Sequence, residues 1–310
     1  MTALLSLATS LAWIAGFLAL AAAAAWAVRH ALARVPGETG RYARAMPLTA
    51  AFGCLTIALY ILVAIFAPLL APFGEREVVD AQFMPWDGTY LLGTDNLGRD
   101  MLSRLIYGAR NTVGIAIATT VIAFVAGALP GLLAATVGGW VDQGLSRAVD
   151  VLMAIPPLIF ALLLLTIFEN TILNLVLVIA LIEATRVYRL ARAVAGGVAV
   201  MDYVEAARLR GEGLPRLIGV EILPNTAAPL VAEFGLRFCF VILLISALSF
   251  LGLGIQPPTA DWGAMVRDNA TLITFGDITP LLPAAAIALL TVSVNFVVDW
   301  VLQLSSGLKD

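Results

Sequence analysis

The amino-acid sequence predicts an all-α protein built into a membrane, and three observations carry that expectation. Of 310 residues, 61% are hydrophobic and 13% charged, about half the charged fraction of an ordinary soluble domain. The apolar residues are gathered into long charge-free runs, and roughly 20 such residues in a helix cross the ~30 Å hydrocarbon core. Ten of the seventeen Arg residues fall near or within just two of the intervening segments, the kind of asymmetry that sets orientation in a bilayer.

The first run, Met1 to Val28, has no basic residue ahead of it and several after it. That is the reverse of a secretory signal, so it reads as a retained N-terminal helix occupying residues 1–30. A basic linker, 31–47, follows and contains Arg34, Arg41 and Arg44. Further runs are Leu48 to Ala71, Asn111 to Val141, Val151 to Phe168, Phe238 to Ala260 and Ile278 to Val298. Asn170 to Ile182 is too short alone but becomes a span if it continues past Glu183 to about Leu190. The expectation is therefore seven spans. Pro130 with Gly127 and Gly131, and Pro156 with Pro157, read as close packing and kinks that neighbouring helices accommodate. Kinks that let helices rock are the alternative.

Cytoplasmic loops carry the excess of Lys and Arg. Arg29, Arg34, Arg41 and Arg44 after the first run, and Arg186, Arg189, Arg192, Arg208, Arg210 and Arg216 around the loop 191–225, accordingly place both segments inside. The segments 72–110 and 254–277, with Glu169, hold ten acidic residues against five Arg and face outward. The N-terminus is then outside and the C-terminus cytoplasmic.

Within 191–225 the residues read as helix, break, helix. Asp202 is placed to cap a short helix through Arg210, Gly211 or Gly213 to end it in the left-handed conformation, and Pro215 to open a second turn. Pro224 marks the approach to the next span. Glu205-Ala206-Ala207, followed by Gly211 and then Ile222-Leu223-Pro224-Asn225, resembles the EAA loop of ABC importer permeases. Taken alone, Glu-Ala-Ala is a common helical tripeptide; the spacing to Gly211 and Pro224 makes it specific.

Two more segments narrow the resemblance. Leu92-Gly93-Thr94-Asp95-Asn96-Leu97-Gly98-Arg99-Asp100, running on to Arg110, and Leu248-Ser249-Phe250-Leu251-Gly252-Leu253-Gly254 with Asp261-Trp262-Gly263, are similar to permeases of the dipeptide, oligopeptide and nickel family, in the C-type subunit of the pair. The resemblance covers the chain from about residue 48 to 310 and implies a type I ABC importer transmembrane domain of six core helices, preceded here by an extra N-terminal one. Departures from the family pattern are Tyr90-Leu91 where relatives often have His-Pro, Ile245 where an acidic residue is common, and Glu212-Gly213 with Pro215 in the loop.

The resemblance implies that Tyr203, Glu205, Ala206, Ala207, Gly211, Leu223 and Pro224 dock this chain on cytoplasmic ATPase subunits. It also implies that Gly93, Asp95, Gly98, Arg99 and Asp100 shape the outward segment. There, Asp95 reads as the cap of a short helix at the outer surface, with Met101, Leu102, Leu105, Ile106 and Ala109 as its apolar stripe. Arg99, Asp100, Arg104 and Arg110 read as facing headgroups, water or a docked solute-binding protein.

The implied partners are a homologous second permease subunit forming a heterodimer, two ATPase subunits, an extracytoplasmic binding protein and membrane lipid of a bacterial inner membrane. No cofactor is expected on this chain; ATP and Mg belong to the ATPases. With Lys309 the only lysine, a phosphate loop is impossible. The lone His30, with Cys54 and Cys239 inside apolar runs, offers neither a catalytic set nor a metal site, and no disulfide is expected. A net charge of −3 excludes the basic footprint of nucleic-acid binding.

Glu183 with Arg186, and Glu233 with Arg237, stand three and four apart and read as pairs along single helices. They either neutralise one another or line a solute path; Asn295 and Asp299 on the last span carry the same two readings. The runner-up function is an ion-gradient-driven secondary transporter, which needs buried carboxylates near the midplane. Most of the central spans carry none.

Overall fold

A computed structural model describes residues 23–31, 33–34, 44–86, 89–275 and 277–306. Residues 23–31 are helical, but most of the expected N-terminal span, together with Arg41 and Lys309, lies outside the described residues.

Helix α1, Leu48–Leu70, carries no charge, follows Pro47 and stops before Pro72. Helix α2, Met101–Gly108, passes through a π-turn, Ala109–Val113, directly into α3, Gly114–Val137. Gly138, at φ 68°, breaks the chain before α4, Gly139–Met153. Helix α5, Pro157–Ile167, starts on the proline that suits a first helical turn. Helix α6, Ile172–Ala199, is capped by the Thr171 hydroxyl, which accepts from Asn174 N. The loop helices α7, Asp202–Leu209, and α8, Leu214–Arg216, lead through a second π-turn, Leu217–Ile222, into α9, Leu223–Phe250. Helix α10, Trp262–Asp268, a 3-10 turn Ala270–Phe275, and α11, Leu281–Ser306, complete the chain. Only two isolated bridges, Val78 with Arg99 and Thr94 with Asp100, interrupt this helical architecture among the described residues.

Among the described residues four helical stretches are long and apolar enough to cross a bilayer: Leu48–Leu70, Met101–Val137, Leu214–Phe250 and Leu281–Leu304. The expected span Val151 to Phe168 is instead two helices, α4 and α5, meeting at 84° across Ala154 to Pro156, and counts as a fifth if the pair is one broken span. Pro156 and Pro157 remove two backbone donors there, which is why the helix cannot run straight. Helix α6 is about 42 Å long at ~1.5 Å per residue, but it carries Glu183, Arg186, Arg189 and Arg192.

The largest helix–helix contact is between α3 and α6, and glycine makes it possible. A Cβ on Gly131 would lie 2.7 Å from the Tyr188 carbonyl oxygen and 2.8 Å from Ala191 Cβ. The main core, which includes Met101, Ile179, Ile242, Ile245, Trp262 and Leu290, lies where α9 meets α6, α11 and the α2–α3 rod. Segments 71–100 and 251–280 gather at one end of the bundle; the α7–α8 loop lies at the other, beside the end of α3.

Candidate functional site

The loop between α6 and α9 is anchored from beneath and bare on top. In α7, Val204 and Ala207 are fully buried and pack with Leu132, Ala195, Leu217 and Ile222 in a small separate core. Arg208 donates through Nη2 to the Thr136 carbonyl at 2.8 Å. This carbonyl belongs to the last turn of α3, where free acceptors and the helix dipole both favour a cation. Tyr203, Glu205, Ala206 and Leu209 remain exposed. Of the predicted Glu205-Ala206-Ala207 trio, therefore, Ala207 anchors the loop and the other two present it.

Asp202 does not cap α7. Met201 occupies the cap position with no side-chain hydrogen bond, and Asp202 is the first helical residue, its negative charge at the positive end of the helix dipole. Gly211 ends the helix as expected, at φ 79°, with its N–H donating to the Arg208 carbonyl at 2.9 Å. Glu212 pairs with Arg216 at 3.2 Å on the exposed surface. Leu223 and Pro224 are exposed at the start of α9, so the predicted loop residues line one end of the bundle from Tyr203 to Pro224.

At the opposite end residues 93–104 form a largely buried knot, where the sequence predicted an exposed helix with charged edges. Asp95 caps no helix. Its Oδ1 accepts from Leu97 N at 2.8 Å and Arg99 N at 3.0 Å, while Oδ2 lies 2.7 Å from Arg99 Nη2 and 3.2 Å from Arg104 Nε. Asp100 caps α2 instead, accepting from Ser103 N at 2.7 Å. Gly93 and Gly98, at φ 71° and 74°, give the turns their reversed backbone. Arg99, Asp100 and Arg104 are buried, whereas Arg110 is exposed as expected. The reason is mutual satisfaction: Arg99 and Arg104 both face Asp95, and Asp100 accepts from the N–H and the hydroxyl of Ser103, which offsets their desolvation. The stripe behaves differently from a surface helix as well, since Met101 and Ala109 enter the main core and α2 continues into a span.

This knot is sewn to the segment after α9, a relationship that no sequence spacing revealed. Glu75 Oε1 accepts from Asn111 Nδ2 at 2.8 Å and Ala260 N at 2.6 Å. Arg104 donates to the Glu75 and Pro258 carbonyls, and Trp262 Nε1 donates to the Leu105 carbonyl at 3.0 Å. Asp261, fully buried, caps α10 by accepting from Ala264 N at 2.9 Å and also accepts from the Thr112 hydroxyl at 2.9 Å. Burial pushes its carboxyl above the ordinary value, against the opposing pull of those hydrogen bonds.

Between the two ends, Glu233 pairs with Arg237 along α9 as expected, but Glu183 pairs across helices rather than with Arg186. Arg237 Nη1 lies 2.9 Å from Glu183 of α6, and its Nε lies 2.8 Å from Glu233. Arg186 makes no pair with Glu183; its guanidinium lies 5.9 Å from the Phe240 ring centre, over which Arg237 also sits at 4.7 Å. Near the loop end, Arg192 of α6 makes a two-point contact with Asp142 of α4, with Nη2 2.7 Å from Oδ2, and Ser146 lies 3.0 Å from the Tyr188 hydroxyl. Asn295 donates to the Thr291 carbonyl, and Asp299 is exposed. Among the described residues no group of three or more His, Cys, Asp or Glu could hold a metal.

Residues 127–306 match the model for the inner membrane component of binding-protein-dependent transport systems, a stretch that includes the loop and both sides of the charge cluster. The chain is 38% identical over 265 residues to a di/tripeptide transport system permease protein of Pseudomonas aeruginosa, covering 83% of this chain and 85% of that one. It is 37% identical over 268 residues to a dipeptide transport system permease protein of Escherichia coli K12, covering 84% and 87%. A peptide transport system permease protein of Shigella flexneri is 33% identical over 267 residues, covering 84% and 89%. With likeness of this degree over most of its length, the chain belongs to the family of inner membrane components of binding-protein-dependent transport systems.

Proposed function

We propose that this chain is the C-type permease subunit of an ATP-driven importer that carries peptides or related small solutes inward by alternating access. The observation that carries this reading is the loop from Tyr203 to Pro224, rigidly footed on α3 through Arg208 and Val204 but exposed on its outer face. It has the form of a lever. The matched family and the peptide permeases among the relatives support a pathway formed with a second, homologous permease subunit.

In this reading Tyr203, Glu205, Ala206, Gly211, Leu223 and Pro224 form the face that meets two cytoplasmic ATPase subunits, which carry ATP and Mg. Ala207 holds that face to the bundle. The loop end and the C-terminus are cytoplasmic, and residues 1–30 add an extra membrane helix ahead of the linker 31–47 and the core 48–310. The knot containing Gly93, Asp95, Gly98, Arg99 and Asp100 lies on the outer side, where a solute-binding protein docks.

Closure of the ATPases would push the loop as a unit, because its buried foot transmits displacement to α3 and α6, and packed elements switch between discrete arrangements. The chain itself performs no covalent chemistry. A gradient-driven mechanism is not favoured: the matched family and the peptide permeases among the relatives belong to binding-protein-dependent transport, and Glu183 and Glu233, though buried, both lie within ion-pair distance of Arg237.

The test is to assemble the chain with its partner permease and ATPase subunits and measure ATP hydrolysis with and without solute-loaded binding protein. Stimulation in wild type that is absent from an inserted Gly211→Arg variant supports the proposal. Failure of any ATPase to associate across varied partners and lipids overturns it.

A further inference from the structure

We propose that Arg186 is a carboxylate-binding subsite on the solute path, halfway along the bundle, and that it holds the acidic terminus of the solute during passage. The inference rests on the permease reading above and names the chemistry the path selects.

Arg186 is about 21 Å from the start of α6 at ~1.5 Å per residue, the mid-length of that 28-residue helix. Arg237 is at the corresponding mid-length of α9. Four charges therefore meet deep in the bundle: Glu183, Glu233, Arg186 and Arg237. They are unequally matched. Arg237 is within ion-pair distance of both carboxylates, whereas no carboxylate among the described residues is within that distance of Arg186.

Arg186 is nonetheless held in place. Its guanidinium shares the Phe240 ring with Arg237, which stands nearer the ring centre. Arg186 is half-buried, and Phe240 is 46% exposed, so this pair forms the open edge of the cluster. Beside it, Arg186 and Thr185 line a cavity of about 40 Å³ against Pro157 and Phe160, at the 84° bend between α4 and α5.

An ionised guanidinium on a bundle helix faces water or a polar partner rather than lipid, because moving a charge into hydrocarbon is costly. The planar fork with free donors fits a carboxylate. Arg237 supplies long-range attraction for the same anion, and Glu183 with Glu233 prevents the pair of cations from holding it too tightly for release. The phenyl ring of Phe240 offers an apolar surface for the side chain next to that carboxylate.

The experiment uses the assembled importer in proteoliposomes, with trialanine and trialanine amide as probes. Their affinities for the binding protein are measured separately and divided out. Arg186→Gln is expected to reduce the preference for the free acid about tenfold, the equivalent of one charge-assisted hydrogen-bonded contact, while Arg186→Lys restores part of it.

A second arm is independent of which solute is carried. In a background with Cys54 and Cys239 replaced by Ala, Arg186→Cys is treated with a membrane-impermeant thiol reagent. Labelling, slowed by trialanine more than by its amide, supports the site. An unchanged acid-to-amide ratio in Arg186→Gln overturns it, as does a cysteine inaccessible in every nucleotide state. A wild-type assembly that moves neither probe counts against the peptide reading alone, and the labelling arm still decides the fate of Arg186.

Discussion

Arg237 and Glu183 stand 2.9 Å apart across the contact between α9 and α6, fifty-four positions apart in sequence. Glu233, one turn before Arg237 on α9, completes a buried triad with a single cation. Such a set stabilises little against an apolar replacement but is expensive to break in half.

Arg237→Ala is therefore expected to destabilise the purified chain by about 3 to 5 kcal/mol, because two buried carboxylates lose their counter-charge. Adding Glu183→Gln and Glu233→Gln to it restores most of that loss. Thermal unfolding midpoints in detergent check both outcomes; an Arg237→Ala protein as stable as wild type contradicts the geometry.

Gly131→Val is expected to drive α3 away from α6, since even its Cβ meets the Tyr188 carbonyl at 2.7 Å. The cost is about 1 to 3 kcal/mol or more, the range for overpacked interiors. Gly144→Ala in α4 meets nothing within 4 Å and is the matched control, gaining up to about 1 kcal/mol of helix propensity. Protease resistance of the two variants in membranes separates them.

Gly211→Arg places a side chain at φ 79° where nothing crowds it. The backbone penalty is about 1 to 2 kcal/mol, too small to prevent folding yet enough to distort the end of α7. The expected result is normal membrane insertion with loss of binding-protein-stimulated ATP hydrolysis in the assembled importer.

Asp261 gives a signed pH dependence. Burial raises its folded pKa above the unfolded value, so the folded chain binds more protons. Its contribution is most favourable below the unfolded carboxyl pKa of about 3.9 and is lost as pH rises through the raised folded value. Asp261→Asn keeps an acceptor for Ala264 N but cannot titrate. The stability of wild type relative to this variant is expected to increase on acidification through the carboxylate range, measured by paired thermal melts; a difference that decreases contradicts the assignment.

Much of the fold was legible from composition and local pattern. Leu48–Leu70 and Leu281–Leu304 are spans because their residues are predominantly apolar over the length of a bilayer, and Gly211 ends α7 because its position in the chain demands a left-handed residue. These are properties of a single segment. The spacing of Glu205, Gly211 and Pro224 likewise located the loop, since its breaks are set by glycine and proline within a few residues.

What local pattern could not supply was the partner of each charge. Spacing paired Glu183 with Arg186, but the packing of α6 on α9 gave Glu183 to Arg237. Asp95 and Asp100 stand five residues apart in a similar local context, yet one organises a buried turn and the other caps α2. Glu75 reaches Asn111 and Ala260 only because two distant segments meet at one end of the bundle. The sequence alone determined that the chain is a helical membrane protein and that its loop turns at Gly211, because those follow from local hydrophobicity and backbone preference; tertiary structure decided which charges are buried, matched or left open, because desolvation and Coulomb attraction depend on distances that exist only once the helices have packed.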